Sequence, residues 1–325
     1  MTVNVLYFDE VNPAFKHVIQ AAAPASVSLY FAKELSDESL ENHIKEADAF
    51  LVATEKISGS TIEKAENLKF IQKTGVGVDN IDVETASKKG IPVANTPGMN
   101  AAGVAELTIL LTLALYRKLP YVHEQTTSGN WPMWSVRTSS FEMEGKTHGL
   151  IGLGNIGKEV AKRSQAFGTS ILYFDKLRLS KEEETKRNLT YVSLNTLIKE
   201  SDILSVHVPL LPETRHIIGN RELKTMKSSA ILVNVSRGGT VDEKALAEAL
   251  QYKKIAGAAV DVWEEEPVPK ENPLLSMEEV IATSHIGAGT KDTLNKVLGT
   301  AFQNIERFIQ KNEALFIIND DHVHA

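Results

Sequence analysis

Cysteine is absent from the 325 residues. Disulfides, thiolate metal sites and cysteine nucleophiles are therefore excluded, and the absence agrees with a cytoplasmic protein. A basic excess is lacking too: 35 Lys and Arg stand against 42 Asp and Glu, a net charge of −7, and no Lys/Arg cluster exceeds two residues. Nothing would neutralise a run of phosphates, so no nucleic-acid partner is expected. Long apolar runs are also missing. The most apolar stretch, 107–115, is shorter than the ~20 residues a membrane helix needs, and it reads as a buried helix. Met1 to Asp9 lacks a basic start followed by an apolar core, so neither a signal peptide nor a membrane partner is expected. His322 and His324 read as bystanders on a terminal tail, and no metal is expected. Lys181-Glu182-Glu183-Glu184 reads as a solvated face.

What is present is ordinary for a soluble globular chain, with 42% hydrophobic and 24% charged residues. The length suggests about two domains. Short β-rich apolar runs alternate with helical patterns, which points to an α/β protein with parallel sheets. In the first part 3–8, 49–53, 70–74 and 92–95 read as strands, with helical patterns at 36–46 and 60–66 between them. A long helix is expected from Asn100, its N-cap, to about Leu119, where Pro120 stops it. The stretch 121–146 has no clear period and reads as an irregular arm. A second series follows, with strands at 147–153, 170–175, 203–208, 230–235, 257–263 and 279–284. Helices fit 155–167, 193–199, 220–226, 242–252 and 291–310.

Gly152, Gly154 and Gly157 form G-x-G-x-x-G. Alone the pattern is weak, because 20 glycines in 325 residues make partial matches common. Its setting strengthens it: a strand precedes, an amphipathic helix follows, and the next strand ends on Asp175, 18 residues past Gly157. Gly152 permits the tight turn, Gly154 lets backbone approach a pyrophosphate, and Gly157 allows close packing of the helix. The helix from Asn155 aims N–H groups and its positive dipole end at the phosphates. Asp175 would accept from the ribose hydroxyls and repel a 2′-phosphate. NAD is the expected cofactor in preference to NADP, although Lys176 and Arg178 stand close by.

Three polar residues fall where strands end: Arg237 before Gly238-Gly239, Glu266 before Pro267, and His285 before Ile286-Gly287. Ligands gather beyond the carboxyl ends of parallel strands, so the three are candidates for one crevice. The runs Val233-Asn234-Val235-Ser236-Arg237-Gly238-Gly239-Thr240-Val241-Asp242-Glu243 and Gly257-Ala258-Ala259-Val260-Asp261-Val262-Trp263-Glu264-Glu265-Glu266-Pro267 closely resemble signature segments of the D-isomer-specific 2-hydroxyacid dehydrogenases. Thr74-Gly75-Val76-Gly77-Val78-Asp79, Asn95-Thr96-Pro97-Gly98, Val104-Ala105-Glu106 and Ser284-His285-Ile286-Gly287 resemble the family as well. The likeness covers roughly residues 45 to 300.

The resemblance implies a great deal. Two Rossmann-like doubly wound domains, one flavodoxin-like and one NAD-binding, would flank a cleft: 1–98 plus 288–325 for substrate and 99–287 for NAD. His285 would be the general acid/base, with Glu266 its orienting partner, chosen over Glu264 and Glu265 because the family acid precedes the proline. Arg237 would bind the substrate carboxylate and carbonyl, a role suited to its permanent charge and forked donors. Cofactor contacts carry over to Asn155, Ile156, Val208, Pro209, Thr214 as a hydrogen-bond donor, Val235, Ser236, Arg237, Asp261 as acceptor from the carboxamide, His285 and Gly287. Asn155 stands where the family often has arginine. Val76 and Gly77 would present N–H groups to the substrate carboxylate, beside Arg237 and His285. The helix 101–119 and the arm around Trp131 and Trp134 resemble dimer elements, so a homodimer is expected.

Departures narrow the substrate. Phosphoglycerate enzymes of the family carry arginines in the stretch matching Thr54-Glu55-Lys56-Ile57, where this chain has one acid and one lysine. A small unphosphorylated 2-hydroxy or 2-keto acid is the expected substrate, and no regulatory domain is expected past Gln310. Two alternatives stay open on these residues: 3-phosphoglycerate dehydrogenase, and an NAD-sensing protein resembling C-terminal-binding-protein corepressors, which keep the three polar residues. Formate oxidation is disfavoured because that branch has glutamine where Glu266 stands.

Overall fold

The computed structural model describes residues 2–311 and 313–319, and the chain divides into two compact units, one of 1–100 with 291–325 and one of 101–290. His322 and His324 lie outside the described residues.

The first unit runs β1 (Val3–Tyr7), α1 (Pro13–Ala22), β2 (Val27–Phe31), α2 (Asp37–Glu46), β3 (Ala49–Val52), α3 (Gly59–Lys64), β4 (Phe70–Lys73), α4 (Val83–Lys88) and β5 (Val93–Ala94). Its all-parallel sheet has the order β2-β1-β3-β4-β5. Successive strand residues face opposite sides, which explains why the apolar runs are unbroken. Leu6, Phe50, Val52 and Ile71 pack beneath Ile57, Ile62 and Ile81 on one face. Val5, Tyr7, Leu51 and Phe70 pack on the other against Leu298, Phe302 and Ile305 of the C-terminal helix Lys291–Lys311.

The second unit opens on α5 (Ala101–Tyr116) and α6 (Leu119–Thr127). It continues through β6 (Thr147–Ile151), α7 (Asn155–Gln165), β7 (Ser170–Phe174), α8 (Lys181–Arg187), β8 (Leu189–Tyr191), α9 (Leu194–Glu200) and β9 (Ile203–Val206). It closes with α10 (Asn220–Thr225), β10 (Ile231–Asn234), α11 (Glu243–Gln251), β11 (Gly257–Val260) and β12 (Val280–Ala282). The parallel order β12-β11-β10-β9-β6-β7-β8 reverses direction between β6 and β9, the switch point where ligands bind in open sheets. Leu204, Leu232 and Val260 pack under α9 to α11, while Leu150, Ile203 and Ile231 face α5 and α7.

Local chemistry sets the helix starts. α1, α2, α3, α4, α8, α9 and α11 each begin on an Asn, Ser or Asp whose side chain accepts from a backbone N–H three residues on. Pro120 does not stop the long helix. The break comes earlier, at Lys118 with φ +50°, and Pro120 lies in the first turn of α6, where no intrahelical N–H is required. Nor does Asn100 act as a side-chain cap, since its Oδ1 is buried without a hydrogen-bond partner. The stretch after Pro120 is not wholly irregular: α6 and a short 3-10 turn, Ser135–Thr138, occupy part of it. The strands β2 and β8 were not anticipated. Both are edge strands, half exposed and without a continuous apolar run. The acidic run is not all solvated either, because Glu184 is buried against Tyr173 and Arg178.

Under the glycine turn lies a buried polar chain. Ser205 Oγ bridges His148 Nε2 at 2.9 Å and His207 Nε2 at 2.7 Å, and His148 Nδ1 meets Ser164 Oγ at 2.8 Å. Burial pushes both imidazoles below the ordinary value of 6.5, with the neighbouring His207 adding to the effect on His148. The unfolded chain takes up protons below 6.5 that the folded rings refuse, so this contribution is whole above 6.5 and drains away as pH falls. The free energy of unfolding should therefore drop by about 1.4 kcal/mol per pH unit for each neutral ring in mildly acidic buffer. Urea melts of the protein and of His148→Gln check this; equal pH slopes for the two proteins would refute it.

Candidate active site

The glycine turn connects β6 to α7. Gly152 has φ +96°, and a Cβ there would meet His207 O at 2.8 Å and Val208 Cγ1 at 2.9 Å. A Cβ on Gly157 would stand 2.3 Å from Gly152 O, so the first turn of α7 lies against the loop itself. Gly154 differs: nothing lies within 4 Å of its Cβ position. It caps α7 with no side-chain bond, and no acid sits in the helix's first turn. Asn155 is exposed, whereas Ile156 turns its side chain onto the core and leaves its backbone for a ligand. Asp175 completes the cradle just beyond β7, with Oδ2 accepting from Leu153 N at 2.6 Å and Oδ1 from Leu177 N at 2.9 Å. Each oxygen retains a lone pair, and the open space at Gly154 is where a pyrophosphate would sit, so these residues fit a bound dinucleotide.

Across the switch point the loops after β9 and β10 come next. Val208 borders Gly152. Thr214 was expected to offer a donor; instead its hydroxyl donates to Pro209 O at 2.6 Å and accepts from Leu211 N at 2.7 Å, holding its own loop. Val235 is buried with Val104 and Leu107, and Ser236 Oγ donates to Asn234 Oδ1 at 2.9 Å. Asn234 is a buried hub that the sequence reading gave no role. It also accepts from Ser236 N at 3.2 Å and donates to Arg237 O at 3.3 Å. Its signal is a polar residue ending an apolar strand.

Arg237 enters on the loop after β10, with Nη1 donating to Ser236 O at 2.7 Å. Gly238 is required beside it, because a Cβ would stand 1.8 Å from Trp263 O. That contact ties the arginine loop to the loop after β11. There Glu266 Oε1 accepts from Trp263 N at 3.0 Å and Oε2 accepts from His285 Nδ1 at 2.8 Å. Burial raises the Glu266 pKa, but the bonds from His285 and Trp263 N and the charge of Arg237 outweigh it and leave it below the ordinary carboxylate value. An ionised carboxylate only accepts, so Nδ1 carries the proton and Nε2 is the exchanging atom.

His285 is held in a left-handed backbone conformation, φ +56°, which is uncommon for residues other than glycine. Asp261 over-determines it. His285 N donates to Asp261 O at 2.7 Å. The buried carboxylate accepts from Thr283 Oγ1 at 2.6 Å, Ile286 N at 2.9 Å and Gly287 N at 2.9 Å. Expected as an acceptor for a carboxamide, Asp261 thus has most of its acceptor capacity committed to the turn that carries His285.

In the first unit, the Gly75-Val76-Gly77 loop follows β4. Thr96 N donates to Gly75 O at 2.9 Å and Asn95 Nδ2 to Val76 O at 2.7 Å, which ties the loop's carbonyls to the segment after β5. Beside it the 53–55 loop wraps the buried Asp9 carboxylate, which accepts from Ala53 N at 2.5 Å, Thr54 Oγ1 at 2.8 Å and Glu55 N at 2.9 Å. The Lys73 ammonium donates to Ala53 O and to Asn80 Oδ1 at 2.6 Å. No group of three or more metal-ligating side chains occurs among the described residues, and no described helix is long and apolar enough to cross a membrane.

Known proteins resemble this chain in sequence and fold. The NAD-binding domain of the D-isomer specific 2-hydroxyacid dehydrogenases matches residues 109–287. The chain is 45% identical over 320 residues to a D-3-phosphoglycerate dehydrogenase of Methanocaldococcus jannaschii, covering 98% of this chain and 59% of that protein's length. It is 44% identical over 269 residues to a hydroxypyruvate reductase of Thermotoga maritima, covering 82% and 86%. Among solved structures, an NADPH-dependent glyoxylate/hydroxypyruvate reductase from Sinorhizobium meliloti, in complex with NADP and malonate, aligns with a TM-score of 0.82 at 29% identity over 98% of this chain and 97% of that one. With the dinucleotide turn, the two parallel sheets and these likenesses together, the chain belongs to the D-isomer specific 2-hydroxyacid dehydrogenase family.

Proposed function

We propose that the chain is an NAD-dependent oxidoreductase interconverting a small unphosphorylated D-2-hydroxy acid and its 2-keto acid. The observation that carries this reading is the His285–Glu266 pair at 2.8 Å, in the same unit as the dinucleotide turn.

The backbone of Gly152, Gly154, Asn155, Ile156 and Gly157 would hold the pyrophosphate, and Asp175 the ribose hydroxyls. Val208, Pro209 and Thr214 would wall the adenine side, with Val235, Ser236, Asp261 and Gly287 near the nicotinamide. When bound, the nicotinamide supplies a hydride to the substrate C2 or accepts one from it. In the reducing direction His285 Nε2 delivers its proton to the carbonyl oxygen as the C–O π bond breaks; in oxidation Nε2 takes the hydroxyl proton back. Glu266 stabilises the imidazolium and fixes the ring. The Arg237 fork pairs with the substrate carboxylate and polarises the carbonyl. In the first unit, Val76 and Gly77 are candidate N–H donors to a carboxylate.

The name of the M. jannaschii relative invites a phosphorylated substrate. The 53–55 loop argues otherwise, because it surrounds a buried acid, carries Glu55 and directs the Lys73 ammonium at Ala53 O and Asn80. A dianionic phosphate gains little from such a loop. Asp175 favours NAD over NADP. Cytoplasmic residence and a homodimer complete the reading, the latter supported by exposed Leu119, Trp131, Met133 and Trp134 on one sequence segment.

Incubation with NADH and glyoxylate, hydroxypyruvate, pyruvate, bulkier keto acids and phosphohydroxypyruvate, followed by absorbance, tests the proposal. Turnover of an unphosphorylated acid is expected, falling by about 10² to 10⁴ in His285→Ala; silence across the panel, or a preference for the phosphorylated acid, would sink it. Glu266→Gln should lower kcat by a smaller factor while leaving NADH binding as it was, because the side chain acts through His285. Unchanged kcat would remove the orienting role. For the dimer, sedimentation should show two copies for the protein and a shift toward one for Trp131→Ala/Trp134→Ala; a monomeric parent refutes it.

A further inference from the structure

Directly after Asp175 the loop bears two cations, Lys176 and Arg178, at the place where proteins of this fold accommodate the 2′-phosphate of NADP. Arginine there would ordinarily argue for NADP, since its fork matches a phosphate and keeps its charge. Arg178 is already engaged. Its Nε donates to Glu184 Oε1 at 2.7 Å and its Nη2 to Glu184 Oε2 at 3.0 Å, a two-pronged pair, while its guanidinium carbon lies 4.7 Å from the centre of the Tyr191 ring. Glu184 is correspondingly fixed. Only 6% of its side chain is exposed, Tyr173 donates to Oε1 at 3.0 Å, and Lys181 Nζ stands 3.0 Å from Oε2. The bond from Arg178 is the largest of the influences that hold its pKa down to about 2. Tyr173 in turn accepts from Leu179 N at 3.0 Å, so the clamp is anchored to β7, the strand that precedes Asp175. The remaining cation, Lys176, is 87% exposed and lies 3.7 Å from Glu213.

We infer that Glu184 is a coenzyme-specificity residue: by clamping Arg178 against Tyr191 it withholds the guanidinium from a 2′-phosphate and so reinforces the choice of NAD made by Asp175. The inference rests on the reading of Asp175 as the ribose-binding acid. Its chemistry is competition for one fork. A guanidinium bonded through two N–H groups to a mostly buried carboxylate must break both bonds to serve a phosphate, and the carboxylate left behind would repel that phosphate. Of three consecutive glutamates, only the third turns inward, which is why composition alone makes the run resemble a solvated face.

Binding titrations of NADH and NADPH to the full chain decide the matter, using the fluorescence of the reduced nicotinamide. Glu184→Gln should tighten NADPH binding by about tenfold, the scale of one charge-assisted contact, with NADH within about twofold of the parent. The gain should vanish in Glu184→Gln/Arg178→Gln. Persistence in the double variant would mean that removal of a negative charge, not release of Arg178, is responsible, and would overturn the proposal, as would no gain in the single variant. Arg178→Gln alone provides a check that does not require Glu184 to be altered. It should leave the NADPH-to-NADH ratio as in the parent, and a selective loss of NADPH binding would show that the fork already serves the phosphate. A parent that binds NADPH as tightly as NADH would instead refute the reading of Asp175.

Discussion

The turn that carries His285 hangs on a buried carboxylate just past β11. Asp261 gathers Thr283 Oγ1, Ile286 N and Gly287 N, and through its carbonyl His285 N, so that a residue with φ +56° stays where Glu266 meets it. A strained residue persists only when its surroundings over-determine it, and four hydrogen bonds to one residue do that. On the neighbouring strand Asn234 does similar work for the loop bearing Arg237, and the Gly238–Trp263 contact joins the two loops. The loops that carry Arg237, Glu266 and His285 are thus positioned by buried groups beneath them.

The dinucleotide end follows a different logic, one of groups left uncommitted. Seven helices satisfy their first N–H groups with a neighbouring side chain, whereas α7 begins on a glycine with open space before it. Beneath it, two neutral imidazoles are linked through hydroxyls without placing a charge under the turn. Beside it, Glu184 holds Arg178 and Glu213 lies 3.7 Å from Lys176, while each Asp175 carboxylate oxygen accepts one backbone bond and keeps a lone pair. Electrostatics here works by subtraction: the positive end of the α7 dipole is left as the attraction for phosphate.

The glycines at 152, 154 and 157, the acid at Asp175, and the alternation of apolar runs with amphipathic stretches were legible in the residues, because each is a local demand of backbone geometry or burial. The two sheets could be anticipated for the same reason: a strand covered on both faces must be apolar throughout. Edge strands β2 and β8 escaped, since half-exposed strands carry no such run. Strand ends were anticipated one to three residues too long, at Asp175, Val208, Val235, Trp263 and Ser284, because residue type does not mark where the ladder bonds stop and the following loop begins. The chemical roles of Arg237, Glu266 and His285 were read through resemblance, and their chain positions alone carried little.

Tertiary structure alone decided which polar groups spend their hydrogen bonds internally. Thr214, Asp261 and Arg178 each looked available in the sequence, and each is engaged by a partner 5, 25 or 6 residues away. Whether a donor or acceptor is free depends on what the fold brings within about 3 Å of it, a distance that local propensity does not encode. Sequence by itself determined where backbone could turn and which faces must be buried, because glycine sterics and apolar periodicity are properties of neighbouring residues. The commitments of the charged side chains came only from three-dimensional contacts, within one loop for Arg178 and between loops about 20 residues apart for the geometry around His285.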